Sequence, residues 1–554
     1  MNRLCHRANG SGKKAIALFF VVLFIFGLAL SYQFGDYWDE TLEANILKHN
    51  AVEYIFRLFP EGSKIRSLCE GQAGIAQSID RDHGIAVMYP LAPIVATEDV
   101  SQFNAISAAG ISLIWHTYIY ILSFTAVLAL YYIGKKLFHS ELAGCVSSLL
   151  FFFSPRFFAE MHYNNKDVLL LVLAIDTLAL VISTVDAWKR KGKFLLKKII
   201  LLSFVGGLTM NTKIVGIAIV DLFGALMICL MICEKVPAKR IASVSAGTLL
   251  AALAFYFLLT PAMWGGIGEI IDFHKYAIEN ANRFSRWSGN ILFEGTMYEY
   301  SVDPLPRYYL IKLLLLTSPV FISAFFCVGA AVLTAGMFRE KTAFFKAPEN
   351  LIAIFSALEF IVPMLYAFVT KTQVYNGWRH FYFVYLGYIV ISAYGIVRTH
   401  RAIQKIPLKK TFDAAVGLCM AAVVVGICVN HPFEYTYYNP LVSNAQERYE
   451  MDYWNVGTKE VLKNILADRN DTSMPITVGA SDNNTMTGIE REMHRMTNPD
   501  VITLCAEPDG AEYIVENITY GKILGIKEFD KAKYDIMEQF SSYGNLVFTV
   551  YKLK

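Results

Sequence analysis

The sequence predicts a polytopic α-helical membrane protein with about eleven transmembrane helices, followed by a small α+β domain outside the membrane. Its 554 residues are 55% hydrophobic and only 18% charged, and the mean hydropathy is +0.40. This composition is far from that of a soluble domain. Apolar runs of about 20 residues, the length that crosses a hydrocarbon core of about 30 Å as a helix, recur along most of the chain. Clusters of Lys and Arg fall in alternate loops between these runs, as expected for loops on the cytoplasmic side.

Eleven runs are apolar enough to be predicted as transmembrane helices. They lie at residues 15–32, 113–133, 138–153, 168–187, 197–211, 214–233, 241–260, 308–337, 350–369, 381–397 and 412–429. The third and fifth runs are short for a crossing.

The basic residues predict the orientation of the bundle. The first run is too long for a secretory signal and lacks its small-residue cleavage site, so we interpret it as a retained helix. Four basic residues, Arg3, Arg7, Lys13 and Lys14, place its start in the cytoplasm. Each later inside loop is also basic, from Lys135 to the cluster at residues 398–410. The sequence therefore predicts a multi-pass plasma membrane protein, of the bacterial inner-membrane type, with an extracytoplasmic C-terminus.

Three segments are predicted to lie outside the membrane. Two are the long loops 33–112 and 261–307, which we assign to a membrane module spanning residues 1–429. The third is a polar domain at residues 430–554. Short β-patterned runs at Ile476–Val478, Tyr513–Val515 and Leu546–Tyr551 alternate there with helical and turn-rich stretches, which favours an α+β fold.

Charge and cysteine content exclude several classes of function. A net charge of +3 is too small to indicate a nucleic-acid partner. Most of the nine cysteines lie inside apolar runs, where a thiol behaves as a small hydrophobe. Only Cys69 and Cys505 are placed in outside segments, where they could form a bridge. We find no ligand cluster with metal spacing, so the sequence predicts no required metal and no cofactor.

The first candidate cluster begins where the first helix emerges on the outer side. Asp36, Asp39 and Glu40 surround Tyr37 and Trp38. The simpler interpretation is an interfacial aromatic belt with solvated acids. The alternative is a general base, since a partly desolvated carboxylate at the membrane boundary can accept a proton from an acceptor hydroxyl.

Further polar residues stand at the outer ends of later helices. Arg156 follows Pro155, and Lys166 and Asp167 precede the fourth run; Asp167 is also well placed as a first-turn acid. Lys213 is an isolated cation between two apolar runs, typical of a snorkelling lysine.

Two more clusters complete the outer face. Arg379 and His380 lead into the tenth run, where they could anchor lipid headgroups or hold a phosphate, because a guanidinium bonds phosphate oxygens bidentately. His431–Tyr435 and Met451–Trp454 are interpreted as a packed collar between bundle and tail. All these clusters fall on one side of the predicted bundle. A lipid-phosphate sugar donor needs this arrangement, with a cationic grip on the phosphate and a carboxylate near the anomeric carbon.

The motifs, in this order, resemble the protein O-mannosyltransferase and aminoarabinose-transferase-like branch of the GT-C glycosyltransferases. The resemblance covers nearly the whole chain. Its motifs are Asp39-Glu40, Ser154–Phe157 running into Asn164–Asp167, Leu305–Tyr309, Arg379-His380, and His431-Pro432 through Asp452–Trp454. It implies a GT-C-like bundle and an inverting transfer of a sugar from a polyprenyl-phosphate carrier to a hydroxyl or phosphate of a glycan, lipid or protein.

The resemblance also implies roles for individual residues. Asp39 would be the base, Glu40 would support or orient it, and Asp167 would be a second or acceptor-orienting acid. Arg379, His380 and Lys213 would hold the carrier phosphate, with Arg156 and Lys166 as further candidates. The chain lacks room for the β-trefoil domain that eukaryotic protein mannosyltransferases insert in an outer loop, which leaves the acceptor open.

Two other classes of function are compatible with a polytopic chain. A secondary transporter or lipid flippase would show repeated halves and polar residues spread through the membrane, whereas here the acids are concentrated on the outer side. A non-catalytic lipid- or glycan-binding protein would differ only in lacking a working base.

Overall fold

The protein is described by a computed structural model that covers residues 10–95, 107–283, 287–300, 302–469, 474–496 and 498–554. Arg3 and Arg7, on which part of the orientation depends, and residues 96–106 of the first predicted outer loop lie outside these ranges. The helices in chain order are α1 (Gly10–Leu30), α2 (Glu40–Leu58), α3 (Lys64–Ser67), α4 (Ala92–Val95), α5 (Ala108–Phe138), α6 (Glu141–Phe152), α7 (Pro155–Glu160), α8 (Asp167–Lys191), α9 (Leu196–Thr212), α10 (Val215–Cys233), α11 (Ala238–Leu258), α12 (Ile267–Arg283), α13 (Tyr309–Leu316), α14 (Val320–Glu340), α15 (Pro348–Thr370), α16 (Tyr385–Ala402), α17 (Ile406–Asn430), α18 (Ala445–Arg448), α19 (Thr458–Ala467), α20 (Asn483–His494) and α21 (Ile518–Leu524).

Nine helices of the described ranges are long and apolar enough to cross a membrane. They are α1, α5, α8, α10, α11, α14, α15, α16 and α17. The predicted runs at 138–153 and 197–211 form α6, of 12 residues, and α9, of 17 residues. A helix of 12 residues is about 18 Å long, well short of the hydrocarbon thickness. The count of eleven crossings therefore stays a prediction.

The predicted single helix at 308–337 is wrong, because the structure divides it into α13 and α14. Thr317, Ser318 and Pro319 separate the two helices. Proline has no N–H to donate and disfavours helical backbone in the residue before it, so the helix stops there and a new one begins after Pro319.

Helices α8 and α16 form the centre of the bundle. In the apolar stretch that includes α16, 94% of the residues are buried, and in that of α8 78% are. By contrast, the stretches in α1, α11, α14 and α17 are at most 17% buried. Since Asp167 begins α8 and Arg379 precedes α16, two of the predicted site residues lie at ends of the most enclosed helices.

Helix α16 begins inside the bundle after a 3-10 turn at Arg379–Val384, in which Phe381 departs from helical geometry. A helix that starts away from water leaves its first N–H groups in need of acceptors. Glu359 of α15 supplies one, because its Oε2 accepts from the Gly387 N–H at 2.9 Å. The approach is tight: a Cβ on Gly387 would lie 2.1 Å from the Ser356 carbonyl oxygen. These contacts fix where the turn that carries Arg379 enters the bundle.

The predicted outer loops contain short elements. The described part of 33–112 includes α2, α3 and α4. The loop 261–307 includes α12 and a hairpin of β1 (Asn290–Phe293) and β2 (Thr296–Glu299).

The C-terminal region contains a five-stranded sheet, as its α+β pattern predicted. Its strands are β3 (Ile476–Ala480), β4 (Ile502–Leu504), β5 (Tyr513–Asn517), β6 (Tyr534–Ser542) and β7 (Asn545–Leu553). The order is β4-β3-β5-β7-β6. Strand β3 is parallel to β4 and β5, whereas β7 is antiparallel to β5 and β6. The three predicted strands lie within β3, β5 and β7. A domain boundary at residue 430 stays a prediction.

Candidate functional site

Arg379 lies between two carboxylates that are distant in the sequence. Its NH1 donates to Oδ2 of Asp39 at 3.0 Å and to Oδ2 of Asp167 at 3.4 Å. The other oxygen of Asp167 accepts from Nζ of Lys213. The side chains of Arg379 and Asp167 are 8% and 3% exposed, but that of Asp39 is 24% exposed. Four of the predicted residues therefore meet in one ion-pair network, in which Asp39 is the acid most open to solvent.

Aromatic rings fix the orientation of the Arg379 guanidinium. Its Cζ lies 4.9 Å from the centroid of Tyr375 and 4.7 Å from that of Trp454. A guanidinium held against aromatic faces keeps its planar fork of donors in a defined direction. Trp454 belongs to the collar near the start of the tail, so this segment contributes a side chain to the site as well as packing.

The acids of the Asp-Glu motif face in two directions. Asp39 is the N-cap residue of α2, and Glu43 lies one turn later. Glu43 accepts from Nζ of Lys166 at 3.4 Å, and the pKa of its carboxyl is raised by burial, an effect that Lys166 opposes. Residues four apart share one face of a helix, so Asp39 and Glu43 both meet the cations around Asp167. Sequence reasoning missed Glu43, although its spacing from Asp39 is a usable signal.

Glu40 points to different partners. Its Oε2 lies 2.9 Å from Nε2 of His116, and its Oε1 accepts from Arg495 NH2 at 2.9 Å. Arg495 also pairs with Asp36 at 2.9 Å and donates to Ser112. One carboxylate oxygen of Glu40 thus bonds to His116 of α5 and the other to Arg495 of the C-terminal region. The predicted role of Glu40 in orienting Asp39 would have to act through these two bonds.

Three residues at the end of α20 hold the segment on both sides of Asp39, and we call them the α20 clamp: Arg491, Glu492 and Arg495. Arg491 donates to the carbonyl oxygen of Trp38 and stacks over its ring at 4.8 Å. Glu492 accepts from the backbone N–H of Asp36 at 3.0 Å. Together with the Arg495 pairs, these bonds fix residues 36, 38 and 40. No sequence pattern indicated the clamp, because α20 is more than 440 residues away from residues 36, 38 and 40 along the chain.

The pKa values of the two acids that share Arg495 are shifted in opposite directions. Burial raises the pKa of Asp36 to about 8, although Arg495 lowers it in part. Burial also opposes ionisation of Glu40, but Arg495 and His116 outweigh it and bring the pKa of Glu40 down to about 2. One buried carboxylate of the pair is therefore ionised and the other protonated at neutral pH.

Two further predicted residues, Arg156 and His380, pack against tyrosine rings beside the network. Arg156 is buried with its Cζ 4.6 Å from the ring of Tyr435, and the ring of His380 contacts that of Tyr375 at 4.9 Å. Near Arg156, burial raises the pKa of Glu160 to about 7, opposed by Arg156 and by the Tyr382 hydroxyl. The structure thus places every predicted site residue at one end of the central helices, with Arg156 and His380 outside the ion pairs of Arg379 with Asp39 and Asp167.

Five buried N–H groups around this network have no hydrogen-bond partner within the described ranges. They are Arg156 Nε, Asn165 Nδ2, Asn376 Nδ2, Arg379 Nε and Trp454 Nε1. Their residues form one connected cluster, since Tyr435 donates to Asn376 and Tyr37 donates to Asn165, while both tyrosine rings contact Trp454. Buried donors are rarely left without acceptors. The cluster is suited to a ligand rich in acceptor oxygens.

Metal and disulfide chemistry find no further support in the described residues. These residues contain no group of three His, Cys, Asp or Glu side chains that could hold a metal ion. Cys69 and Cys505 are both free thiols.

Comparison with known proteins yields only distant structural likenesses. No protein-family profile matches the chain, and no curated protein sequence does. Among solved structures, ArnT from Cupriavidus metallidurans in the apo state aligns with 97% of this chain and 98% of its own, at 11% identity and a TM-score of 0.44. The same protein bound to undecaprenyl phosphate aligns over the same shares at 11% identity and a TM-score of 0.40. Scores at this level establish neither a family nor an activity for the chain.

Proposed function

We propose that this protein is an inverting glycosyltransferase that moves a sugar from a polyprenyl-phosphate carrier to a hydroxyl or phosphate acceptor on the extracytoplasmic face of the membrane. The observation that carries the proposal is the placement of Arg379 between Asp39 and Asp167, beside Lys213, at the ends of the central helices. A phosphate grip and a solvent-accessible carboxylate within one hydrogen-bond network are what such a transfer requires.

The cations and free donors supply the phosphate site. Arg379 and Lys213 would bind the phosphate oxygens. Lys166, which pairs with Glu43 at 3.4 Å, is a further cation beside them. Because the site lies where membrane-spanning helices end, a phosphate there can be attached to a lipid whose chain remains in the bilayer. The five partnerless N–H groups would donate hydrogen bonds to the sugar hydroxyls and the remaining phosphate oxygens. We place His380 at the periphery of this site and Arg156, through its Nε–H, among its donors.

Asp39 is the preferred base because its carboxylate is the most solvent-exposed acid of the network and pairs with Arg379, which would bind the phosphate. The acceptor hydroxyl oxygen attacks the anomeric carbon while its proton moves to the Asp39 carboxylate. The bond between that carbon and the phosphate oxygen breaks, and its electron pair stays on the leaving polyprenyl phosphate. Arg379 and Lys213 stabilise the charge that develops there. Attack opposite the leaving group inverts the anomeric centre. Asp167, nearly fully buried, orients the two cations, and Glu40 holds the Asp39 segment through Arg495.

The test is transfer by purified protein from a panel of radiolabelled polyprenyl-phosphate sugars to a membrane extract. Asp39→Asn and Arg379→Ala should both lose transfer, the first with donor binding retained. Arg448→Ala is the matched control, because this exposed arginine lies 3.9 Å from Glu294, away from the site. If the wild type transfers from no donor but moves a lipid or solute across proteoliposomes, the protein is a transporter. If it binds donors with Asp39→Asn and wild type indistinguishable in every assay, it is a non-catalytic binding protein.

A further inference from the structure

The far end of the bundle, opposite the candidate site, contains an open groove between α8, α9 and α11. It has a volume of about 800 Å³. Its walls are apolar: Ile200, Leu201 and Phe204 of α9, with Leu180 of α8 and Phe255 of α11. The rings of Phe204 and Phe255 meet edge to face at 5.4 Å and close one end.

Two lysines in the first turn of α9 stand at the other end of the groove. Lys198 donates from Nζ to the carbonyl oxygen and the hydroxyl of Ser183, both neutral groups. Lys197 is exposed and has no ion-pair partner among the residues that the structure describes. Asp186, the acid whose charge acts on Lys198, already pairs with Lys136 at 2.9 Å and with Arg190 at 2.8 Å. The rim therefore carries positive charge that its neighbours do not neutralise.

The geometry points to a binding site for an anionic phospholipid in this groove, with its phosphate between Lys197 and Lys198 and one acyl chain along the apolar wall. Both lysines are at the opposite end of α8 and α9 from Asp167 and Lys213, so the leaflet is the one that the candidate site does not face. Seven residues separate Lys197 from Phe204, about 11 Å of helix, which matches a headgroup at the boundary and a chain below it. Basic pockets between transmembrane helices bind anionic headgroups in this way. The inference is independent of the proposed glycosyl transfer.

A tryptophan in the groove wall tests the inference. Phe204→Trp protein in detergent is titrated with brominated phosphatidylglycerol or brominated phosphatidylcholine, and the wild-type chain gives the background from the seven native tryptophans. We expect the anionic lipid to quench the new tryptophan at concentrations lower by on the order of tenfold. Adding Lys197→Ala and Lys198→Ala should abolish this preference. Adding Lys191→Ala and Lys193→Ala, which remove two exposed lysines at the same end but outside the groove, should leave it intact.

Lys197→Ala alone serves as a second variant that should fold normally, because this side chain is exposed. It should reduce the preference for the anionic lipid in part. Equal quenching by both lipids would overturn the inference, as would an unchanged preference in the Lys197→Ala, Lys198→Ala protein. Competition by millimolar inorganic phosphate would also overturn it, because it would show a site for free phosphate in which the apolar wall has no role.

Discussion

Removal of the Arg495 side chain should weaken the hold of the α20 clamp on the segment around Asp39. Arg495→Ala deletes two ion pairs of 2.9 Å and the hydrogen bond to Ser112. It leaves the ionised carboxylate of Glu40 buried without its main counter-charge, and the protonated carboxyl of Asp36 without its neighbouring guanidinium. Breaking a buried ion pair by removing one partner costs about 3 to 5 kcal/mol.

The lowered pKa of Glu40, to which both Arg495 and His116 contribute, gives a second figure of similar size for this loss. Its pKa falls from 4.5 to about 2, chiefly because Arg495 and His116 overcome the effect of burial. At about 1.4 kcal/mol for each tenfold change in proton affinity, this corresponds to about 3 kcal/mol at neutral pH. We therefore expect Arg495→Ala to lower the free energy of unfolding by about 3 kcal/mol.

The functional effect should fall on turnover rather than on donor binding. Asp39 lies between the two acids that Arg495 holds, and a displacement of about 1 Å at a reacting group can cost roughly a hundredfold in rate. Arg379 and Lys213 remain in place, so the affinity for a polyprenyl-phosphate donor should change little. The measurements are unfolding in a denaturing-detergent titration and the kinetics of transfer, with Arg448→Ala as control. The reasoning is refuted if Arg495→Ala unfolds and turns over like Arg448→Ala.

Three other substitutions give distinct results. Arg379→Lys keeps the charge but loses the planar fork of donors that binds phosphate oxygens bidentately, so donor KM should rise by about tenfold, which equal KM values in transfer assays would contradict. Asp36 has a folded-state pKa of about 8 against 3.8, so its stabilising effect is complete below about pH 4 and is lost as the pH rises through 8. Asp36→Asn should therefore flatten the decline in unfolding free energy between pH 4 and 8, and an unchanged slope would refute the assignment. Glu359→Leu removes the acceptor for the Gly387 N–H and should cost about 1 to 3 kcal/mol, whereas Glu359→Gln, which retains an acceptor oxygen, should cost less; equal thermal unfolding of the two variants would show that the bond contributes little.

Sequence reasoning singled out residues of the candidate site because membranes make charged residues costly. Asp39, Asp167, Lys213 and Arg379 stand out at the ends of apolar runs, and the structure brings these four together. The same reasoning placed most helices, since an apolar run of sufficient length has few other folds available in a bilayer.

What the sequence left out depends on contacts between distant segments. Glu43 needed only the helical spacing from Asp39, but Arg495 lies in a polar helix with nothing to distinguish it from other surface arginines. The break before Pro319 was visible as a proline, yet the long apolar run around it favoured one helix. The pairing of Glu40 with His116 and Arg495, rather than with the Asp39 network, required the fold itself.

The start of α2 has acids on two faces, one turned toward Arg379 and Lys166 and the other toward α20. A displacement of the C-terminal region would therefore be transmitted to Asp39, the proposed base, through a single turn of helix. Under the proposed function, the outer surface of α20 would be a site from which the reaction could be modulated. An antibody fragment that recognised this surface and shifted the helix would slow turnover without competing with either substrate, and it would not need to enter the bilayer.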